Sequence, residues 1–151
     1  MTDNLHVEIR DGIAEVTLNR PRQRNALTFS MYERLLAFCE KAARDGSLRA
    51  VMITGAGDKA FAAGTDIAEF HSVQTADDGL VYEAKIERVL SALETLAVPT
   101  IAAIAGACTG GGAAIAACCD LRIATRSLKF GFPIARTLGN CLSVANYARL
   151  V

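Results

Sequence analysis

Two glycine-bearing turns constrain this chain more than anything else in it. The first reads Lys59-Ala60-Phe61-Ala62-Ala63-Gly64-Thr65-Asp66, and the second reads Gly106-Ala107-Cys108-Thr109-Gly110-Gly111-Gly112. An apolar strand-like run precedes each, Ala50 to Thr54 and Thr100 to Ile104, and helix-like sequence follows each. Small residues leave backbone N–H groups uncovered. Two such groups aimed at one point make an oxyanion hole, a site built from main chain rather than from side chains. That suits a chain whose only histidines are His6 and His71.

The 151 residues, 52% of them apolar, fit one domain (1–151) with a substantial core. Sixteen Lys and Arg balance sixteen Asp and Glu. That balance argues against a nucleic-acid or polyanion surface, and the absence of tryptophan argues against a base-stacking platform. The five cysteines, Cys39, Cys108, Cys118, Cys119 and Cys141, form no Cys-x-x-Cys pair and are odd in number. They read as reduced packing thiols of a cytoplasmic protein, with no metal site expected. The amino terminus lacks a basic segment followed by an apolar one. The uncharged run from Val98 to Cys119 is long enough to suggest a membrane span. Pro99, four internal glycines and Asp120 mark it instead as buried strand, turn and helix.

Val7, Ile9, Ile13, Val16 and Leu18 predict two short strands joined by a tight Asp11-Gly12 turn. Ser30 with Glu33 predicts a capping box for a helix reaching about Ala43, with Met31, Leu35, Phe38 and Ala42 on one face. Asp45-Gly46 ends it. A buried strand follows over Ala50 to Thr54, and a short helix start over Ile67 to His71. A polar loop runs through Asp77-Asp78-Gly79. A longer helix is expected from Leu80 to Leu96, with Val81, Ala84, Val89, Leu93 and Leu96 apolar. Thr100 to Ile104 reads as strand and Gly111 to Cys119 as helix. Leu121 to Ala124 reads as strand, Lys129 to Pro133 as a short extended piece, and Leu142 onward as helix. Strands alternating with helices predict an α/β fold of stacked units around a buried sheet, with no evident internal repeat. The chain stops inside an apolar helical pattern, Ala148-Arg149-Leu150-Val151, so an incomplete carboxy terminus is expected.

Gly55-Ala56-Gly57 follows a strand, but Ala60 stands where a dinucleotide fingerprint needs its third glycine. No lysine follows Gly110-Gly111-Gly112, so no phosphate loop exists, and no Gly-x-Ser-x-Gly elbow occurs. A longer ordered series is more specific. It runs Asn19-Arg20-Pro21, Asn25-Ala26-Leu27, Phe61 to Asp66, Gly110-Gly111-Gly112, Cys119-Asp120-Leu121-Arg122-Ile123-Ala124 and Phe130-Gly131-Phe132-Pro133. In this order the series resembles the crotonase family, the enoyl-CoA hydratase/isomerase superfamily, from about residue 5 to the end.

The resemblance implies a crotonase-like spiral of β-β-α units whose carboxy-terminal helical region is missing here. It implies an enzyme that processes acyl-CoA thioesters, holding an enolate or oxyanion on the N–H groups of Ala63 and Gly111. Coenzyme A is then part of the substrate, with no separate cofactor. Arg24 and Ala26 resemble positions that contact CoA, Arg24 being equally readable as a solvated loop arginine. Thr65, Asp66 and Ile67 match the segment holding adenine and pantetheine, and Asp66 is also suited to cap the next helix. Gly110, Gly111, Pro133, Ile134 and Leu138 complete the implied substrate contacts. The full-length family assembles as trimers or as hexamers built from them.

The family's hydratases carry two glutamates that move water's protons. Their positions here hold Ala114 and Ile134, neither of which carries a proton. Ordinary hydratase activity is therefore not expected, and an acyl-CoA-binding protein without catalysis is the alternative. Cys141, in Gly139-Asn140-Cys141, sits where a dehalogenase branch has its Gly-Asn-Asp turn. It is a candidate nucleophile or acid, or else a plain loop thiol. His71 is a candidate base near neutral pH, with Glu69 beside it. Arg136 is a candidate for holding a substrate carboxylate.

Overall fold

A computed structural model describes residues 4–134, 136 and 141–151. The chain opens with a hairpin, β1 (Leu5–Arg10) and β2 (Ile13–Leu18), paired antiparallel. Asp11 and Gly12 both have positive φ, 51° and 75°. Two positive φ values in succession give the turn twist that matches the strands, as the Asp-Gly pair predicted.

Helix α1 (Phe29–Ala42) is capped differently from the expectation. Thr28, not Ser30, accepts the Met31 N–H at 3.2 Å, and the Glu69 carboxylate takes the Phe29 N–H at 2.7 Å. Ser30 lies inside the helix, because the Thr28 cap and the long-range Glu69 contact let the first turn begin two residues earlier than a Ser30 cap would. Met31, Tyr32, Leu35, Cys39 and Ala42 form its buried face.

Strand β3 (Ala50–Gly55) is followed by β4 (Ala60–Ala62), a short 3-10 turn (Ile67–Ser72) and helix α2 (Ala76–Glu94). Asp77, Asp78 and Gly79 belong to the first turn of α2 rather than to a loop. The Thr75 hydroxyl accepts the Asp78 N–H at 3.1 Å while the Asp78 carboxylate accepts the Thr75 N–H at 2.9 Å. This reciprocal box starts the helix early. Its buried side is Ile86, Val89, Leu90 and Leu93, whereas Val81 and Ala84 are exposed.

Strand β5 (Thr100–Ile104) leads to β6 (Ala107–Thr109) and helix α3 (Gly111–Cys118). Strands β7 (Leu121–Ala124) and β8 (Lys129–Gly131) come next, then a short α4 (Val144–Ala148). The apolar run Val98 to Cys119 is thus strand, strand and buried helix. Among the described residues, no helix is long and apolar enough to cross a membrane.

Two sheets result. The larger has the order β1-β2-β3-β5-β7, parallel from β2 onward, and the smaller is β4-β6-β8, all parallel. From β3 onward the chain places one strand in the large sheet and the next in the small one. β3 and β4 precede α2, and β5 and β6 precede α3. The fold therefore repeats a β-β-α unit that winds as a spiral. The repeat escapes the sequence because the small-sheet strands are only three residues long and their connections differ, 56–59, 105–106 and 125–128.

Side chains tie the layers together where the family-like motifs occur. Asn25, fully buried with φ 55°, accepts the Arg20 N–H at 2.9 Å. Its amide donates to the carbonyls of Ala56 and Ala60 at 3.0 and 2.7 Å. Asp120 accepts the Thr100 N–H and hydroxyl, both at 2.8 Å, which lower its pKa and fasten the end of α3 to the start of β5. Arg122 donates to the carbonyls of Ala116, Ala117 and Cys119, where cations favour a helix carboxy terminus. Arg149 bridges Glu87 and Glu94, holding the end of α4 to α2.

Cys39, Cys108, Cys118 and Cys119 are buried, and burial pushes each thiol up to about 12. At neutral pH they stay protonated and unreactive.

Candidate functional site

The two glycine turns meet. A Cβ built on Gly110 would lie 3.5 Å from the Gly64 Cα, so the second turn touches the first backbone to backbone. Gly110 has φ 54° and ψ −121°, a conformation closed to other residues. It aligns β6 with β8 by donating its N–H to the Gly131 carbonyl at 3.0 Å.

Gly111 begins α3, and its N-cap residue, Gly110, has no side chain with which to cap it. The first N–H groups of a helix have no intrahelical acceptor, and the helix dipole adds positive character there. A Cβ on Gly111 would run into the Tyr32 hydroxyl and lie 3.2 Å from Thr65 Oγ1. Glycine is required because three elements converge on this one Cα.

The first turn differs from its sequence reading at one position. The Ala63 N–H, expected to face an oxyanion, donates to the Arg24 carbonyl at 3.0 Å. Arg24 is itself exposed with φ 50°, so its carbonyl is turned to meet the turn. Two residues on, Thr65 pairs with Leu27 in a parallel bridge. In that bridge the Leu27 N–H donates to Gly64 at 2.8 Å and the Asp66 N–H donates to Leu27 at 2.9 Å. This register leaves the Thr65 N–H outside the bridge, on the side of the chain away from Leu27.

Asp66 caps the 3-10 turn through the Ala68 N–H at 3.1 Å and pairs with Arg20 at 2.9 Å. These contacts, Ala68 first and Arg20 second, hold its carboxyl below the usual carboxylate range. Arg20 also donates to the Ala26 carbonyl at 2.6 Å. Ile67 is 75% exposed beside the turn. His71 is exposed at the end of the 3-10 turn, and Cys141 is exposed. Glu69 caps α1 instead of standing free beside His71. Ala114 is buried in α3, Pro133 is exposed and Ile134 is half-buried. Leu138, Gly139 and Asn140 lie outside the described residues.

One cluster has no counterpart in the sequence reading. Thr65 Oγ1 lies 2.9 Å from the Tyr32 hydroxyl and 3.1 Å from the Tyr82 hydroxyl. Tyr32 comes from α1 and Tyr82 from α2. Burial raises both phenols, so both remain protonated. A cavity of about 410 Å³ opens between α1 and α2, with Phe29, Tyr32, Leu36, Tyr82 and Ile86 in its wall. Tyr82 packs on Phe29 and Phe70 with ring centroids 5.4 and 5.1 Å away.

The family model for enoyl-CoA hydratase/isomerase matches residues 8–141. This chain belongs to the enoyl-CoA hydratase/isomerase family. Over 123 residues it is 40% identical to the putative enoyl-CoA hydratase/isomerase YngF of Bacillus subtilis, covering 82% of this chain and 47% of that protein. It is 37% identical to the short-chain-enoyl-CoA hydratase of Clostridium acetobutylicum, covering 87% of this chain and 50% of that one. The crystal structure of an enoyl-CoA hydratase/carnithine racemase from Magnetospirillum magneticum superposes with TM-score 0.92 at 36% identity. That match covers 99% of this chain and 56% of the other. The crotonase fold is thus shared, and the chain spans about half the length of the curated relatives it matches.

Proposed function

We propose that this crotonase-family chain binds an acyl-CoA thioester and holds the oxyanion or enolate form of its carbonyl on the N–H groups of Thr65 and Gly111. The observation that carries this reading is the contact of the two turns. A Cβ built on Gly110 lies 3.5 Å from Gly64 Cα and one on Gly111 lies 3.2 Å from Thr65 Oγ1, which supports pairing the Thr65 N–H, outside the Leu27 bridge, with the first N–H of α3. Thr65 replaces Ala63 as the first donor because the Ala63 N–H is already taken by Arg24. Loss of one such donor costs roughly 3 kcal/mol of transition-state stabilisation. The relatives' names support the thioester class, since those proteins are called a putative enoyl-CoA hydratase/isomerase and a short-chain-enoyl-CoA hydratase.

Hydration itself is not the reaction we assign. Ala114 and Ile134 stand where the family resemblance puts two glutamates, and a positioned acid or base contributes about a hundredfold or more. Enolate chemistry such as isomerisation needs the same hole with its proton groups elsewhere. Those same two positions favour a second reading, a family member that binds acyl-CoA without turning it over. In either case Arg24, exposed beside the first turn, is suited to a CoA phosphate. Assembly as a homotrimer or hexamer is part of the proposal for the complete protein.

Calorimetry with acetyl-CoA and a hydration assay on crotonyl-CoA test both readings. Saturable binding with hydration far below that of a two-glutamate enzyme is the expected pair of results. No binding at millimolar thioester would overturn the assignment, and rapid hydration would overturn the exclusion of that reaction.

A further inference from the structure

The Tyr32–Thr65–Tyr82 cluster goes beyond the oxyanion reading while resting on it. Thr65 Oγ1 is the middle of a three-hydroxyl chain, 2.9 Å from Tyr32 and 3.1 Å from Tyr82. Three hydroxyls own three protons, and the two links use two of them. Thr65 has one proton and two lone pairs, so it accepts from at least one of the two tyrosines. Threonine is stiff at χ1, and its Oγ1 and its N–H hang from adjacent atoms. The Leu27 bridge orients the Thr65 N–H, and holding the hydroxyl steadies the Cα from which that N–H hangs.

Tyr32 does a second thing. Its hydroxyl occupies the space that a Cβ on Gly111 would need. One phenol oxygen thus bonds the side chain of one donor residue and abuts the Cα of the other. Tyr32 is 3% exposed and reaches this point from α1, a rigid element. Tyr82, held by Phe29 and Phe70, closes the chain from α2.

We propose that Tyr32 is a positioning residue for the oxyanion hole: its hydroxyl, wedged between Thr65 Oγ1 and Gly111, sets the spacing and aim of the two N–H donors. Tyr82 secures the far side of Thr65. A tyrosine serving only the core has its hydroxyl bonded too, so stability alone does not separate the two roles. Polarisation of the bound carbonyl does.

The test uses cinnamoyl-CoA, a conjugated thioester whose absorbance moves to longer wavelength when its carbonyl oxygen accepts strong hydrogen bonds. The full-length protein should shift it on binding. Tyr32→Phe removes one oxygen and should lose most of that shift while binding CoA itself, which has no thioester carbonyl, with unchanged affinity. Thr65→Val should lose the shift likewise, and Thr65→Ser, which restores the hydroxyl, should keep it. Tyr82→Phe should give a smaller loss, and with the threonine pair it tests the clamp even if Tyr32→Phe folds poorly. A wild-type shift retained in full by Tyr32→Phe or Thr65→Val overturns the positioning role and leaves the hole intact. Absence of any shift or binding in the wild-type protein overturns the oxyanion reading, and the positioning role with it.

Discussion

The two glycine turns are alike in composition and opposite in use. The first commits its Ala63 N–H to the fold, bonding it to Arg24 at 3.0 Å. The second leaves the Gly111 N–H at an uncapped helix start. What separates them is not residue size but the partner chain alongside. The loop around Asn25 pairs with the first turn, whereas β8 pairs with the second only as far as Gly110. A small residue makes a donor available in principle, and long-range pairing decides whether it stays available.

The comparison is broken most strongly at Gly111. A Gly111→Val substitution drives a Cβ into the buried Tyr32 hydroxyl and disturbs the donor at once. Thioester binding or turnover should fall by roughly a hundredfold or more. Titration with acetyl-CoA reads this directly, and near-normal affinity would mean that the second turn is not the open one.

Next in size is the loop that occupies the first turn. Asn25→Ala removes three hydrogen bonds from a fully buried position, to Arg20, Ala56 and Ala60. Leaving their backbone partners unsatisfied should cost about 3 kcal/mol of stability. Urea unfolding measures it. A loss under about 1 kcal/mol would show that this loop does not hold the first turn.

The smallest effect is electrostatic. Asp66 has its pKa lowered by the Ala68 N–H and by Arg20. Its contribution is therefore fully present above the ordinary carboxylate pKa of about 4. It is lost as pH falls through the lower folded value. Melting followed downward from pH 6 should show Asp66→Asn less sensitive to acid than the wild type. Parallel curves would remove the Arg20–Asp66 link from the account.

Much of the fold was legible because local chemistry dictates it. Asp11-Gly12 supplies two positive φ values, and the apolar strands β3 and β5 announce themselves. The small sheet was not legible. Ala60–Ala62 and Ala107–Thr109 are too short for any period to show, and they become strands only by pairing with each other and with β8. The start of α1 was missed partly for the same reason, since Glu69 comes from far along the chain, whereas the Thr75–Asp78 box that starts α2 is local and was passed over. Within the candidate site, the glycines were readable because Gly110 needs its φ and Gly111 has no room for a Cβ. In the first turn, composition singled out the Ala63 N–H, which the fold bonds to Arg24, because an N–H direction follows from pairing such as the Leu27 bridge and not from composition. Tyr32 carries no signal of its own in the sequence, and only the fold brings it to Thr65.

The central claim is that Thr65 and not Ala63 supplies the first donor. Replacing a single amide by an ester deletes one N–H and leaves the side chain in place. With cinnamoyl-CoA as the probe, the ester at Thr65 should abolish the absorbance shift and change melting little. The ester at Ala63 should keep the shift and lower stability by about 1 kcal/mol. A shift lost at Ala63 and kept at Thr65 would contradict the account.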